Sequence, residues 1–217
     1  MPKNKNLILW DWNGTIVDDA WLFVEILNFF LKQTKNTPVS INDYRQLFCF
    51  PLEDFYKKIN LYDNRESFNK ISKQFIKLYR KRSCEPKLIE GIIDVVRSCS
   101  YNNTLCLTLS AQNNIDLKNS IKHYKLCSFF NSVFGVDNIM ARGKVDLARR
   151  VVDKYKADKV LVVGDTSLDY DVACAVGADC YLVSWGHYNV ERLDVLPAPV
   201  FSSVLKLKQS VLSFISH

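Results

Sequence analysis

Two aspartates stand where apolar runs break into glycine-containing turns. LILWDWNGT at residues 7 to 15 delivers Asp11 to a tight turn, and VLVVGDTSLD at 160 to 169 repeats the arrangement with Asp165. Each run reads as a β-strand whose tip carries a carboxylate. In an open parallel sheet the strand C-termini form one edge where ligands bind, so the two aspartates converge if their strands are neighbours. Converging carboxylates suit a hard divalent cation such as Mg2+.

The elements that must position these groups follow from periodicity. Residues 16 to 87 show several helical patterns and no convincing strand. Leu22, Ile26, Leu27, Phe30 and Leu31 recur at helical spacing within Ala20 to Thr34. Short helices are expected over 42–48 and 51–59. Over 66–83, Phe68, Ile71, Phe75, Ile76 and Tyr79 form one stripe opposite Lys and Arg, as in an amphipathic bundle helix. From about Leu88 the pattern alternates: helix 89–100, strand 104–110, helix 113–124, strand 132–135, helix 144–155, strand 159–164, helix 169–176 and strand 180–183. A short strand near Val200 and a terminal helix over 203–216 complete it. Such alternation implies an α/β fold with a parallel sheet and crossovers.

DWNGT, with Asp11, Gly14 and Thr15 in place, resembles the D-x-D-G-T motif of the haloacid dehalogenase superfamily of aspartate-nucleophile hydrolases. LCLTLS ending in Ser110, Lys144 in ARGKVDLARR, and GDTSLD with Asp165 and Asp169 follow in the family's order. DWNGTIVDD and GDTSLDYDVACAVGAD are similar to the phosphoglycolate-phosphatase-like branch. The resemblance implies a Rossmann-like, doubly wound parallel-sheet core (residues 1–16 and 88–217) and an all-helical cap inserted after the first strand (17–87). It also implies a phosphatase. Asp11 would attack phosphorus to form an aspartyl-phosphate. Mg2+ would be held by Asp11, the main-chain carbonyl of Asn13 and Asp165, with Asp169 ligating through water or orienting the shell. Ser110 and Lys144 would bind the phosphoryl oxygens, and the turn amides of Asn13, Gly14 and Thr15 would form part of the anion cradle. Asp169 would equally suit capping of the helix that follows.

The second acidic position of the family motif is Asn13 here. In the family's phosphatases that residue protonates the leaving oxygen and then activates water, and an amide has no titratable proton to give. General acid-base catalysis is worth about 10²- to 10⁴-fold, so a slower enzyme is expected rather than an inert one. Two alternatives share the motif. Phosphonoacetaldehyde hydrolases carry D-W-A-G-T and a Schiff-base lysine in the cap, where FCFPLEDFYKK places Leu52, with Lys57 and Lys58 displaced. A phosphate-binding pseudo-phosphatase would rest on Asn13 alone. Asp18 and Asp19 are expected to shape the turn into the cap, and His187 in SWGHYN to lie in a surface loop, the alternative being that it faces the site.

The 217-residue chain has 48% apolar and 24% charged residues, enough for a full core. No apolar run approaches a membrane span, and the short one behind MPKNKN is no signal peptide, so a cytoplasmic location and no membrane partner are expected. Seven scattered cysteines without a C-x-x-C pair suggest reduced, mostly buried thiols. Much of the net charge of +6 comes from residues 53–87, with ten Lys or Arg against five Asp or Glu. This is read as a solvated helix face, or as attraction for an anionic substrate. No nucleic-acid motif accompanies it. The expected partner is a small phosphorylated substrate, bound by a monomer or dimer.

Overall fold

Residues 6–100, 104–137 and 143–216 are described in a computed structural model. In chain order the elements are β1 (Asn6–Trp10), β2 (Val17–Asp18), α1 (Ala20–Gln33), α2 (Ile41–Leu47), α3 (Leu52–Lys58), α4 (Arg65–Arg82), β3 (Lys87–Leu88), α5 (Ile92–Ser100) and β4 (Leu105–Asn113). They continue with α6 (Asn114–His123), β5 (Ser132–Val136), α7 (Lys144–Tyr155), β6 (Lys159–Gly164), α8 (Ser167–Val176), β7 (Asp179–Val183), α9 (Val190–Leu193), β8 (Val200–Phe201) and α10 (Val204–Ser216).

Six strands form one sheet in the order β5-β4-β1-β6-β7-β8, all paired in parallel. The fold is therefore the expected α/β sheet, with β1 between β4 and β6. β1 is apolar on both faces because both are covered: Leu7 and Leu9 enter one core, Ile8 and Trp10 the other. Its pairing with β6 sets Trp10 opposite Val163, which brings Asp11 and Asp165 to adjacent strand tips. That juxtaposition is the sheet's contribution to the site.

Helices α1 to α4 lie between β2 and β3, a two-residue antiparallel pair that the sequence pattern does not reveal because neither strand is long enough to show alternation. Two of these helices start in capping boxes, Ser40 with Asp43 and Asn64 with Ser67, which satisfy the free amides of the first turn. α4 buries Phe68, Phe75 and Tyr79, largely the expected stripe. The short α9 was not anticipated. Of the seven cysteines, all free, only Cys99, Cys106 and Cys180 are buried, while Cys84, Cys127 and Cys174 are exposed, against the expectation of mostly buried thiols. Among the described residues no helix is long and apolar enough to cross a membrane.

Gly164 ends β6 where Asp169 folds back on it, and a Cβ there would sit 2.1 Å from the Asp169 Cγ. Gly177 after α8 has φ of 65° but nothing within 4 Å of a Cβ. Gly164→Ala is expected to cost about 3 kcal/mol through overpacking, and Gly177→Ala about 1 kcal/mol for its left-handed backbone alone. Urea unfolding of both variants checks this, and equal losses would contradict the close packing at Gly164.

Candidate active site

The first residue of α7, Lys144, is buried and inserts its ammonium between two carboxylates, 2.7 Å from Asp11 Oδ1 and 2.6 Å from Asp169 Oδ1. Desolvation works against the charge on Lys144, but the two aspartates outweigh it and hold its pKa above the usual lysine value. Asp169 serves both uses read from the sequence. Its Oδ2 accepts from the Asp165 and Thr166 amides and the Thr166 hydroxyl, capping α8, while Oδ1 anchors Lys144. Asp11 sits at the end of β1, its amide bonded to the Val163 carbonyl at 2.8 Å. Burial pushes its carboxyl up to about 8, with Lys144 opposing and Asp169 and Asp165 adding to the rise.

Asp165 is fully buried and held by the Thr15 hydroxyl at 3.1 Å and the His187 amide at 2.6 Å. Burial raises it to about 6 despite the charge of His187. One oxygen each from Asp11, Asp165 and Asp169 lies within 4.8 Å of the others. An all-carboxylate donor set of this kind fits a hard divalent cation. Gly14 allows the approach: its φ is 73°, and a Cβ would meet Asp165 Oδ2 at 2.3 Å. The amide of Gly14 is not free for an anion, because it donates to the Val17 carbonyl and to Asp19 Oδ1, both at 2.9 Å. The Thr15 hydroxyl is likewise engaged with Asp165. Neither residue lines the cavity described below, and the contacts they make fix the turn and orient Asp165.

The residues that sequence reasoning missed surround Asp19. Although Asp19 precedes α1, its side chain makes no capping bond. It is fully buried and accepts from Asn13 Nδ2 at 2.6 Å, Tyr79 Oη at 2.8 Å and the Gly14 amide at 2.9 Å. His187 Nε2 lies 3.3 Å from Asp19 Oδ1, and Nδ1 is 2.7 Å from the Tyr44 hydroxyl. His187 is 4% exposed, not the surface histidine expected, because Phe23, Tyr44 and Phe48 close around its ring. Burial would raise Asp19, but the charge and hydrogen bond of His187, with Asn13 and Tyr79 as donors, hold it below its usual value. Burial would lower His187, but the hydrogen bond and charge of Asp19, helped by Asp165 and Asp11, hold it above. Asp18, by contrast, is exposed. A run of two aspartates before an apolar helix reads as turn-forming, and only contacts with α4 and the loop after β7 show that Asp19 turns inward.

Above these groups is a cavity of about 130 Å³, lined by Asp11, Asn13, Ser110 and Lys144 on the sheet side and by apolar side chains of the helical segment. Ser110 is buried where β4 bulges, and its hydroxyl accepts from the Gln112 amide at 3.1 Å. Lys57 and Lys58 are exposed and line none of it, whereas Arg80 of the same basic stretch does.

Asn13 and Asp19 form a matched pair, since an amide can donate where a second carboxylate would repel. Asn13→Asp is expected to cost about 2 kcal/mol at pH 8. Adding Asp19→Asn should restore much of it, with a coupling of about 1–3 kcal/mol in a double-mutant cycle read by denaturant unfolding. A rate gain from Asn13→Asp, which its missing proton would suggest, must therefore be sought in the double variant. The ion pair also carries a pH signature. Asp19 is lowered and His187 raised, so their stabilisation is complete from about pH 4 to about pH 6.5, and fades as pH rises through the elevated His187 value or falls through the depressed Asp19 value. His187→Gln should destabilise the fold by about 3 kcal/mol at pH 6 and by less at pH 9.5. A deficit that does not change with pH would remove the ion pair from the account.

A family model for haloacid dehalogenase-like hydrolases matches residues 8–183. A phosphoglycolate phosphatase of Synechococcus elongatus is 23% identical over 191 residues, covering 86% of this chain and 87% of that protein. Among solved structures, that of a predicted phosphatase from Clostridium acetobutylicum superposes with a TM-score of 0.82 at 18% identity, over 96% of this chain and 98% of the other. A haloacid dehalogenase-like hydrolase family protein from Streptococcus pneumoniae gives 0.80 at 16% identity, over 94% and 97%. With the family model spanning most of the length and the fold shared from end to end, the chain belongs to the haloacid dehalogenase-like hydrolase family.

Proposed function

We propose that the protein is a Mg2+-dependent phosphatase of a small phosphorylated metabolite, acting through an aspartyl-phosphate on Asp11. The observation that carries this reading is the placement of Asp11 at the floor of the cavity, with Lys144 at 2.7 Å and Asp165 and Asp169 in one acidic cluster. Four buried carboxylates (Asp11, Asp19, Asp165, Asp169) face two buried bases (Lys144, His187) among the described residues. Even with His187 protonated, negative charge is in excess, which favours a divalent cation.

Lys144 occupies Oδ1 of Asp11, so Oδ2 is the oxygen left to attack phosphorus. A bond forms between Asp11 and phosphorus as the ester oxygen leaves and takes up a proton. Water then displaces Asp11 from phosphorus and regenerates the carboxylate. Lys144 fixes the nucleophile's rotamer and lends positive charge to the transition state, and Asp169 holds Lys144 in place. Ser110 would donate to a phosphoryl oxygen. Mg2+, bound by Asp11, Asp165 and the main-chain carbonyl of Asn13, would supply charge neutralisation of the phosphoryl oxygens. Residues 17–87 are read as a cap over the site and residues 1–16 and 88–217 as the core. A carbon–phosphorus hydrolase would need a cap lysine at the cavity, whereas Leu52 lines it and Lys57 and Lys58 face solvent. The relative from Synechococcus makes phosphoglycolate a substrate to test.

Hydrolysis of an aryl phosphate should require Mg2+ and fall on the order of 10³-fold or more in Asp11→Asn. Asp165→Ala should weaken metal dependence and rate together. Steady-state rates across a Mg2+ titration check both, and wild-type turnover by purified Asp11→Asn protein would remove Asp11 as nucleophile.

A further inference from the structure

Resting on the phosphatase reading, we propose that the substrate is the phosphate monoester of a small apolar alcohol, of branched-alkyl to benzyl size, rather than of a hydroxy acid. The wall opposite Asp11 is built from Phe23, Phe48, Phe50, Leu52, Phe75 and Ile76. Four of these, Phe23, Phe50, Leu52 and Ile76, are only half-buried. They keep apolar surface that a ligand can cover, and covering it is favourable in proportion to its area.

Among the described residues the cations around this cavity are each already paired with a carboxylate, Arg80 through its Nε alone. Lys144 lies between Asp11 and Asp169, and Arg80 pairs with Asp116 at 2.8 Å. His187 has Asp19 on one ring nitrogen and Tyr44 on the other. A carboxylate on the leaving group would be desolvated beside cations that already hold a carboxylate, which is costly. The polar exceptions on the helical side include Tyr56, Tyr79 and Ser72. Burial holds both phenols un-ionised well above neutral pH, and the hydroxyl of Ser72 lies beside that of Tyr56. Such groups can meet one hydroxyl or carbonyl on the substrate but cannot balance a charge. Size adds to this: the cavity of about 130 Å³ must hold the phosphoryl group at Asp11 as well, which keeps the alcohol small.

The test uses the intact chain with Mg2+ and separates ligand preference from chemistry. By calorimetry, benzylphosphonate, which cannot be hydrolysed, should bind at least tenfold tighter than phosphonoacetate. In turnover, benzyl phosphate should exceed phosphoglycolate at least tenfold in kcat/KM. Ile76→Lys, or Leu52→Lys should the first not fold, should move the binding ratio at least tenfold toward phosphonoacetate. Phosphonoacetate binding as tightly as benzylphosphonate to the unaltered chain would overturn the proposal. If neither acetyl phosphate, a minimal phosphoryl donor, nor any ester were turned over while benzylphosphonate kept its advantage, the phosphatase reading would fail and the apolar ligand class would stand.

Discussion

Everything in this molecule answers to the burial of four carboxylates beneath one lysine and one histidine. Isolated charges of this kind are too costly to desolvate, so each must be held by specific donors at fixed positions. Asp169 takes three donors on one oxygen and Lys144 on the other, and Asp19 takes four across its two oxygens. Asp11 and Asp165 are less fully compensated, and both have their affinity for protons raised. The carboxylates with donors to spare are structural anchors; the two with a deficit are those at the strand tips, where a cation and a phosphoryl group would meet.

This constraint explains backbone features that would otherwise look unrelated. Gly14, Gly164 and Gly186 lie on three separate segments, yet a Cβ on any of them would strike Asp165 or Asp169 within 2.3 Å. The chain passes close to the carboxylates so that its amides can reach them, and side chains are excluded from the path. The loop after β7 is drawn in for the same reason. It brings the His187 amide to Asp165 and the imidazole to Asp19, while Arg45 of α2 donates to the carbonyls of Trp185 and Gly186. The helical segment is thus tied to the sheet edge through polar groups at the site as well as through the aromatic cluster around Phe48.

Local signals made part of this readable. Strands β1 and β6 announce themselves as apolar runs ending in glycine turns, and the motif order placed Asp11, Ser110, Lys144, Asp165 and Asp169 on the right elements. The structure brings all five to one cavity or its floor. What stayed hidden was set by distant pairings. Tyr79 reaches Asp19 across 60 residues and Tyr44 reaches His187 across 143, and neither separation leaves a mark on local periodicity. Tyr79 reads as ordinary core on a helix stripe, Tyr44 carries no signal of its own, and His187 reads as a loop residue. A charge excess says how basic a segment is and not which way it faces, so the two readings of residues 53–87 could be separated only by placing their side chains, and Lys57 and Lys58 face solvent.

Asn13 shows how an apparent loss changes meaning once its surroundings are known. Read alone, an amide in place of an acid at the second motif position removes a proton donor. In the folded chain that amide donates to Asp19 at 2.6 Å and to Tyr79 at 2.7 Å. A carboxylate stands beside the turn all the same, supplied by Asp19, and it is the reason the neighbouring position must be a donor. Position 13 is thereby coupled to α4 through Tyr79 and to the loop after β7 through His187. A substitution there acts on the packing of the helical segment against the sheet edge as well as on the turn that carries Asp11. Rate effects at Asn13 therefore cannot be assigned to proton transfer until the partner carboxylate has been changed with it.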